Sequence, residues 1–161
     1  MSYNFNAAEV FKVAIQIEEN GKKFYEESQK SIDAPELKKL FAELALQEVD
    51  HKHRFESLLA QLPPESSGPT VWDPDNELDK YVKVMADGHV FVGDIKEQLA
   101  RIKDAKSALK MAIEFEKDSV LFFLTLEDAA AGQKDQAFIK TLVKEEQAHL
   151  KRLTLELMKL K

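Results

Sequence analysis

The chain has 161 residues, of which 44% are apolar and 32% charged, and its formal net charge is −6. It contains no cysteine, which excludes disulfides, iron–sulfur clusters, thiolate zinc sites and rubredoxin-type iron. The acidic balance argues against nucleic acid as a partner, because the sequence has no row of basic side chains that would neutralise phosphates.

The broad class of the protein follows from the same composition. Five glycines and five prolines are too few for a loop-rich β fold, and the length predicts a single all-α domain over residues 1–161. No apolar run reaches the length of a membrane span, and the first residues do not form a signal-peptide pattern. We therefore expect a cytoplasmic protein with no membrane partner.

Apolar residues recur at alternating spacings of four and three over four long stretches of the chain. This periodicity is typical of helices that each bury one seam against partner helices. Asn6 is a candidate cap for the first helix, and Pro35 stands at an early position of the second, where proline is tolerated. The predicted helices run from about 6 to 32, from 35 to 62, from about 104 to 130 and from about 134 to 160.

The stretch between the second and third helices, residues 63–103, is long for a connection. In a bundle it would serve as a crossover, so that the second and third helices run parallel. Two short helices are predicted within it, at residues 76–85 and 94–102. The domain is therefore expected to consist of a hairpin over residues 6–62, the crossover, and a second hairpin over residues 104–160.

The two predicted hairpins repeat one another in sequence. The segment Ala14-Ile-Gln-Ile-Glu18 matches Ala112-Ile-Glu-Phe-Glu116. A Glu-x-x-His pair occurs once in each hairpin, and the second copy follows the first by the same offset. The residues Glu116, Glu146 and His149 each lie 98 positions after Glu18, Glu48 and His51. A pseudo-twofold arrangement of the hairpins would bring the two sets face to face.

Six ionisable residues fall on the apolar seams: Glu18, Glu48, His51, Glu116, Glu146 and His149. A spacing of three residues places the glutamate and histidine of each pair on one helix face. Burying unpaired carboxylates costs several kcal/mol each, and no lysine or arginine shares these seams. We therefore predict a metal centre in which four carboxylates balance two divalent cations. Mixed carboxylate and imidazole ligands suit two iron ions, with manganese or zinc possible. Glu48 and Glu146 are expected to bridge, and the other four residues to be terminal ligands.

The sequence also indicates the environment of three further polar residues. Tyr25 lies seven positions after Glu18 and shares its face, which indicates either a core tyrosine with a hydrogen-bonded hydroxyl or a residue that supports the metal ligands in redox chemistry. His53 points away from the seam of His51 and is expected to be solvated. His89 lies in the crossover and is interpreted as a loop histidine.

Glu145 borders the seam of the fourth helix, four positions before His149. It is a candidate either to replace Glu146 as a ligand or to assist it. The position equivalent to Glu145 in the first hairpin is Gln47, which cannot supply a carboxylate. The repeat therefore favours Glu146 as the ligand.

The chain resembles the rubrerythrin-like branch of the ferritin-like superfamily in the stretches 14–25, 48–51, 112–123 and 145–149, which carry the repeat and the Glu-x-x-His pairs. The resemblance implies a ferritin-like four-helix bundle made of two repeated helical hairpins joined by a long crossover. It also implies a homodimer with a non-haem di-iron centre that reacts with peroxide or dioxygen. Rubrerythrins usually carry a C-terminal rubredoxin domain and this chain has none, so electrons are expected from a separate donor such as a rubredoxin-like protein.

The sequence departs from the rubrerythrin pattern at one position. Rubrerythrins place an additional glutamate one turn after the third-helix ligand, where this chain has Ser119, and the equivalent position in the first hairpin is Gly21. The remaining six ligands resemble a bacterioferritin ferroxidase centre. Three functions therefore stay open: a di-iron oxidoreductase that reduces peroxide or dioxygen, a ferroxidase or iron-handling protein without a reductase cycle, and a scaffold held together by zinc.

Overall fold

The computed structural model describes residues 7–61, 75, 77–91, 94–129 and 133–160. These residues form helices and short connections and contain no β-strand, as the all-α prediction requires. The candidate cap Asn6, the last residue of the predicted first hairpin, Leu62, and the first part of the crossover, residues 63–74, lie outside the described residues. The helices are α1 (Ala7–Ser28), α2 (Pro35–Gln61), α3 (Glu77–Asp87), α4 (Lys96–Ala100), α5 (Ala105–Ala129) and α6 (Gln133–Lys159).

The four long helices pack as two hairpins, because α1 lies along α2 and α5 lies along α6. Within the crossover, α3 packs on α5 and α4 packs on α1. The helical bundle expected from the sequence is therefore confirmed. None of the helices in the described part of the chain combines the length and the apolar character that a membrane span requires.

The second crossover helix is shorter than predicted. It covers Lys96–Ala100 instead of residues 94–102, because the backbone hydrogen bonds after it no longer follow the α-helical pattern. The backbone N–H groups of Arg101 and Ile102 donate to carbonyls three residues back instead of four, which ends an α-helix. Asp104 then caps α5: its carboxylate accepts from the Ser107 N–H at 2.8 Å, and the Ser107 hydroxyl oxygen accepts from the Asp104 N–H at 3.1 Å.

Two groups of aromatic rings pack at the two ends of the bundle core. Toward the α1–α2 turn, the ring of Tyr25 packs edge-on against Phe41 with centroids 5.3 Å apart. Toward the α5–α6 turn, Phe55 and Phe123 lie 5.2 Å apart. Because Phe55 and Phe123 stand in the C-terminal halves of α2 and α5, their contact agrees with the predicted parallel course of these two helices.

Gly21 allows a close approach between α1 and α5. A Cβ atom at this position would lie 2.5 Å from the Phe115 ring, a distance that no side chain tolerates without movement. The glycine therefore lets the Phe115 ring lie directly on the α1 backbone. That contact brings the middle of α5, where Glu116 stands, up to the middle of α1, where Glu18 stands.

Candidate metal centre

The structure brings all six predicted ligand residues together in the middle of the bundle. Each of them is at most 4% exposed, and each of the four long helices contributes at least one. Their ligand atoms form two groups in which all atoms lie within 4.8 Å of one another. We call them the His51 position, formed by Glu18, Glu48, His51 and Glu146, and the His149 position, formed by Glu48, Glu116, Glu146 and His149.

Glu48 and Glu146 belong to both positions, which is the arrangement expected of bridging carboxylates. The Nδ1 atom of His51 lies 2.9 Å from an oxygen of Glu146 and 3.4 Å from an oxygen of Glu18. The Nδ1 atom of His149 lies 3.0 Å from the other oxygen of Glu146. The two imidazole rings are nearly parallel, at 16°, with centroids 5.9 Å apart. Each ring thus directs Nδ1 toward the shared carboxylates.

Most of the buried side-chain atoms that lack a hydrogen-bond partner in the described residues belong to this cluster. Both oxygens of Glu18, both of Glu48, and one each of Glu116 and Glu146 have no donor. A buried polar group without a partner costs about 1–3 kcal/mol, and more when it is charged. These six oxygens lie close together beside two imidazole nitrogens. Such a set suits a pair of divalent cations better than it suits hydrogen bonding among its own members.

Without a metal, protons balance part of this negative charge. Burial, followed by the charge of Glu18, raises the pKa of Glu48 well above its usual value. Burial lowers the pKa of His51, but the charge of Glu146 outweighs it and raises the pKa to about 12. The same competition, between burial and the carboxylates of Glu116 and Glu146, raises the pKa of His149 to about 10. Metal binding must therefore displace protons.

Tyr25 is fully buried, and its hydroxyl donates a short hydrogen bond to Oε1 of Glu116. Burial, and then the charge of Glu116, raises the pKa of this phenol well above its usual value, so the hydroxyl keeps its proton and remains a donor. The sequence predicted a buried tyrosine with a bonded hydroxyl and left a role beside the ligands open. The structure identifies the bonding partner as a candidate ligand, and a catalytic role for Tyr25 stays a prediction.

Glu145 lies in neither group of candidate ligand atoms. Its Oε2 atom is 2.8 Å from Nε2 of His51, the ring nitrogen that faces away from the shared carboxylates. Its Oε1 atom is 3.5 Å from the guanidinium of Arg54. Glu145 therefore does not replace Glu146 in either group of candidate ligands. It contacts a histidine of α2, a partner that the sequence does not indicate.

His89 is a loop histidine, as predicted, but it is only 3% exposed. Its Nδ1 accepts from the Phe91 N–H at 3.1 Å, and its Nε2 lies 3.1 Å from the Ser119 hydroxyl. Burial lowers its pKa to about 3, so the ring is neutral, and Nε2 donates to Ser119. The sequence contains no periodic signal for this contact, because His89 stands in a non-helical segment. His53, by contrast, is exposed as expected.

Comparison with known proteins agrees with this geometry. The family model for rubrerythrin matches residues 9–158. A crystal structure from Thermotoga maritima, described at 2.30 Å as a ferritin-like diiron-carboxylate protein, shares 26% sequence identity with a TM-score of 0.74, over 100% of both chains. A comparison with curated protein sequences gives no match. The ferritin-like bundle, the buried cluster of glutamates and histidines, and the match over nearly the whole chain lead to one conclusion: this protein belongs to the rubrerythrin family.

Proposed function

We propose that the protein is a di-iron carboxylate oxidoreductase that reduces hydrogen peroxide or dioxygen with electrons from a separate donor, such as a rubredoxin-like protein. The observation that carries the proposal is the pair of four-residue ligand groups that share Glu48 and Glu146. With peroxide as the oxidant, two electrons and two protons convert one molecule into two molecules of water.

Two arguments favour iron as the metal. The ligand set mixes four carboxylates with two imidazoles, a combination that suits iron and manganese. The similar Thermotoga maritima protein is described as a diiron-carboxylate protein. Two bound irons, each changing by one electron, would supply the two electrons that one peroxide molecule takes.

The protein would contribute positioning and exclusion of water. The phenol of Tyr25 holds one oxygen of Glu116 and leaves the other free of hydrogen bonds. Glu145 holds the far nitrogen of His51 and orients its Nδ1 toward the shared carboxylates. The buried rings of Phe41 and Phe55 belong to the aromatic groups on either side of the centre, which limits the entry of bulk water.

The test begins with metal-free protein that is loaded with ferrous iron under anaerobic conditions. Peroxide is then added while the near-ultraviolet absorption of the ferric centre is followed, and reduced rubredoxin is supplied as the donor. We expect two irons per chain, rapid oxidation, and repeated turnover until the donor is consumed. A ferrous protein that does not react with peroxide or dioxygen contradicts the proposal.

Two variants make the test specific. Glu48→Ala removes a carboxylate of both positions and should abolish iron loading and the reaction. Glu19→Gln is the matched control, because Glu19 is the neighbour of Glu18 in sequence but bonds Lys52 at 2.7 Å, away from the centre. This control should react as the unmodified protein does.

A ferroxidase or iron-handling function is the second candidate. It is favoured by Ser119, whose hydroxyl bonds His89 where rubrerythrins would carry an additional glutamate. In that case the bound ferrous iron would be oxidised once per loading, and the donor would not reduce it again. Tight binding of zinc with no redox response would instead support a structural metal, and would overturn both redox functions.

A further inference from the structure

The two halves of the candidate centre have equivalent ligands but different surroundings. The difference lies in which residues hold the ligands in place. Resting on the metal centre proposed above, we propose that the two positions are unequal, and that the His51 position binds the first metal ion and binds it more tightly. Two independent contacts, one at each half, carry this inference.

The first contact is made by Glu145 with His51. The carboxylate lies 2.8 Å from Nε2, while Nδ1 of the same ring faces Glu146, Glu18 and Glu48. A carboxylate that accepts the far N–H of a metal-binding imidazole fixes its orientation and makes it a stronger donor. The contact of Glu145 with Arg54 is longer, at 3.5 Å, and both side chains are about one-third exposed. The histidine is therefore the partner that matters.

The repeat places no such group behind His149. The position equivalent to Glu145 is Gln47, which is exposed. The position equivalent to Arg54 is Arg152, which bonds Glu43 at 2.9 Å instead of approaching the histidine. In the part of the chain that the structure describes, no side chain hydrogen-bonds to Nε2 of His149, and the ring contacts Glu116 and Glu146 through Nδ1.

The second contact is made by Tyr25 with Glu116, a carboxylate of the His149 position only. The phenol occupies one oxygen of Glu116, so this carboxylate offers a metal ion one free oxygen, whereas Glu18 offers two. The residue equivalent to Tyr25 is Phe123, which has no hydroxyl. Glu18 accordingly keeps both oxygens free of hydrogen bonds. Both contacts therefore favour the His51 position, and they must outweigh its larger proton cost, since the pKa of His51, about 12, exceeds that of His149, about 10.

The experiment titrates the metal-free full-length protein with Mn²⁺, which binds such ligands without being oxidised under nitrogen. Calorimetry gives the affinities, and native mass spectrometry counts the ions on each chain. For the unmodified protein we expect two binding steps that differ at least tenfold in affinity. Glu145→Gln should weaken binding at the His51 position by about 10–100-fold, the usual effect of losing a group that supports a metal-binding histidine, and should leave the affinity of the His149 position nearly unchanged.

Two variants test the inference at the His149 position. Gln47→Glu places a carboxylate at the equivalent position behind His149, and Tyr25→Phe frees the second oxygen of Glu116. Each should tighten the second step and bring the two steps closer together. General damage to the fold would weaken both steps, so these gains cannot come from a purely structural effect.

The outcomes separate this inference from the proposed metal centre. Two equal steps in the unmodified protein, or an equal loss of both steps in Glu145→Gln, would overturn the inequality while leaving the dimetal centre intact. Absence of any Mn²⁺ and Fe²⁺ binding would overturn both. Two unequal steps whose order and spacing respond to Glu145→Gln and Tyr25→Phe as described would establish the inference.

Discussion

The two hairpins of the bundle supply the same ligands but do not treat them alike. In the first hairpin, Glu18 has no hydrogen-bond donor and His51 is held by a carboxylate of the opposite hairpin. In the second, Glu116 is held by a phenol and His149 has no carboxylate on its far nitrogen among the described residues. The candidate ligands repeat from one hairpin to the other, whereas the groups that hydrogen-bond to them do not.

The difference extends to the packing beside the ligands. One turn after Glu18, Gly21 receives the ring of Phe115. One turn after Glu116, Ser119 bonds the buried His89 of the crossover. The crossover is anchored there by a second bond, from the Val90 N–H to the carboxylate of Asp118 at 2.9 Å. The crossover, which has no counterpart in the repeat, also bonds the first hairpin, where the Asn20 side-chain N–H donates to the Phe91 carbonyl at 2.6 Å.

The largest expected effect is on metal content. It should appear when the loss of a candidate ligand shared by both positions is compared with the loss of one that belongs to a single position. Glu48→Gln should remove both metal ions, whereas Glu18→Gln should remove only one. Because burial and Glu18 keep the pKa of Glu48 high, the metal-free protein carries this side chain protonated. Glutamine imitates that form, so the melting temperature of the metal-free protein should hardly change. Elemental analysis and calorimetric melting measure the two quantities.

Equal metal content in Glu48→Gln and Glu18→Gln would show that Glu48 is not shared. Glu43→Gln serves as a control on α2, because Glu43 lies on the surface and bonds Arg152. It should keep both ions.

The affinity for metal should depend steeply on pH. In the metal-free protein, nearby carboxylates raise the pKa of His51 to about 12 and that of His149 to about 10, so both imidazoles are protonated at neutral pH and each must lose a proton to bind. Each displaced proton weakens binding about tenfold for every pH unit of acidification. The two imidazoles alone should therefore make loading of both positions about a hundredfold less favourable from pH 8 to pH 7, and the proton on Glu48 steepens this dependence further. Mn²⁺ titrations at a series of pH values measure this slope, and a flat profile would contradict protonated histidines.

Substitutions at Gly21 and Ser119, each one turn after a candidate ligand, should lower the free energy of unfolding by different amounts. Gly21→Ala forces the Phe115 ring to move and should lower the free energy of unfolding by about 1–3 kcal/mol, less a gain in helix propensity of up to about 1 kcal/mol. Ser119→Ala removes the partner of His89 and should cost about 1 kcal/mol. Chemical denaturation of the metal-free variants measures both. A stabilised Gly21→Ala would contradict the close approach of α1 and α5.

The last expected effect is the pH dependence that His89 adds to the free energy of unfolding. Burial lowers its pKa to about 3 in the folded protein, against about 6.5 when unfolded. Below pH 6.5 the unfolded chain takes up a proton that the folded chain refuses, so this contribution is complete above pH 6.5 and decreases on acidification. The loss is about 1.4 kcal/mol per pH unit until the pH approaches 3.

His89→Gln should remove this part of the slope, since glutamine does not titrate. His53→Gln is the matched control, because His53 is exposed and should leave the slope as it is. Unfolding measured by denaturant between pH 5 and pH 7 decides the matter, and an unchanged slope in His89→Gln would show that His89 is not buried as described.

Helical periodicity and the internal repeat were enough to predict the bundle and the convergence of the six candidate ligands. Each of these residues stands on a seam, and a seam must face the other helices, so Glu18 and Glu146 meet although they are far apart in sequence. Their action as metal ligands stays a prediction.

The supporting contacts could not be predicted in the same way. The bond of Glu145 to His51 depends on how far α6 is rotated against α2, and a residue that borders a seam can face either neighbour. The burial of His89 depends on where the crossover lies on α5, and the non-helical residues around it carry no period that reports it. Tyr25 was placed on the correct face, but periodicity does not say which carboxylate its hydroxyl would meet.

The most direct test of the account is a crystal structure with Mn²⁺ at one and at two equivalents, using anomalous diffraction to locate the metal. At one equivalent we predict a peak beside Glu18 and His51, and at two equivalents a second peak beside Glu116 and His149, with Glu48 and Glu146 between them. Metal bound elsewhere, or a single ion at two equivalents, would contradict the central claim that this bundle holds a dinuclear centre.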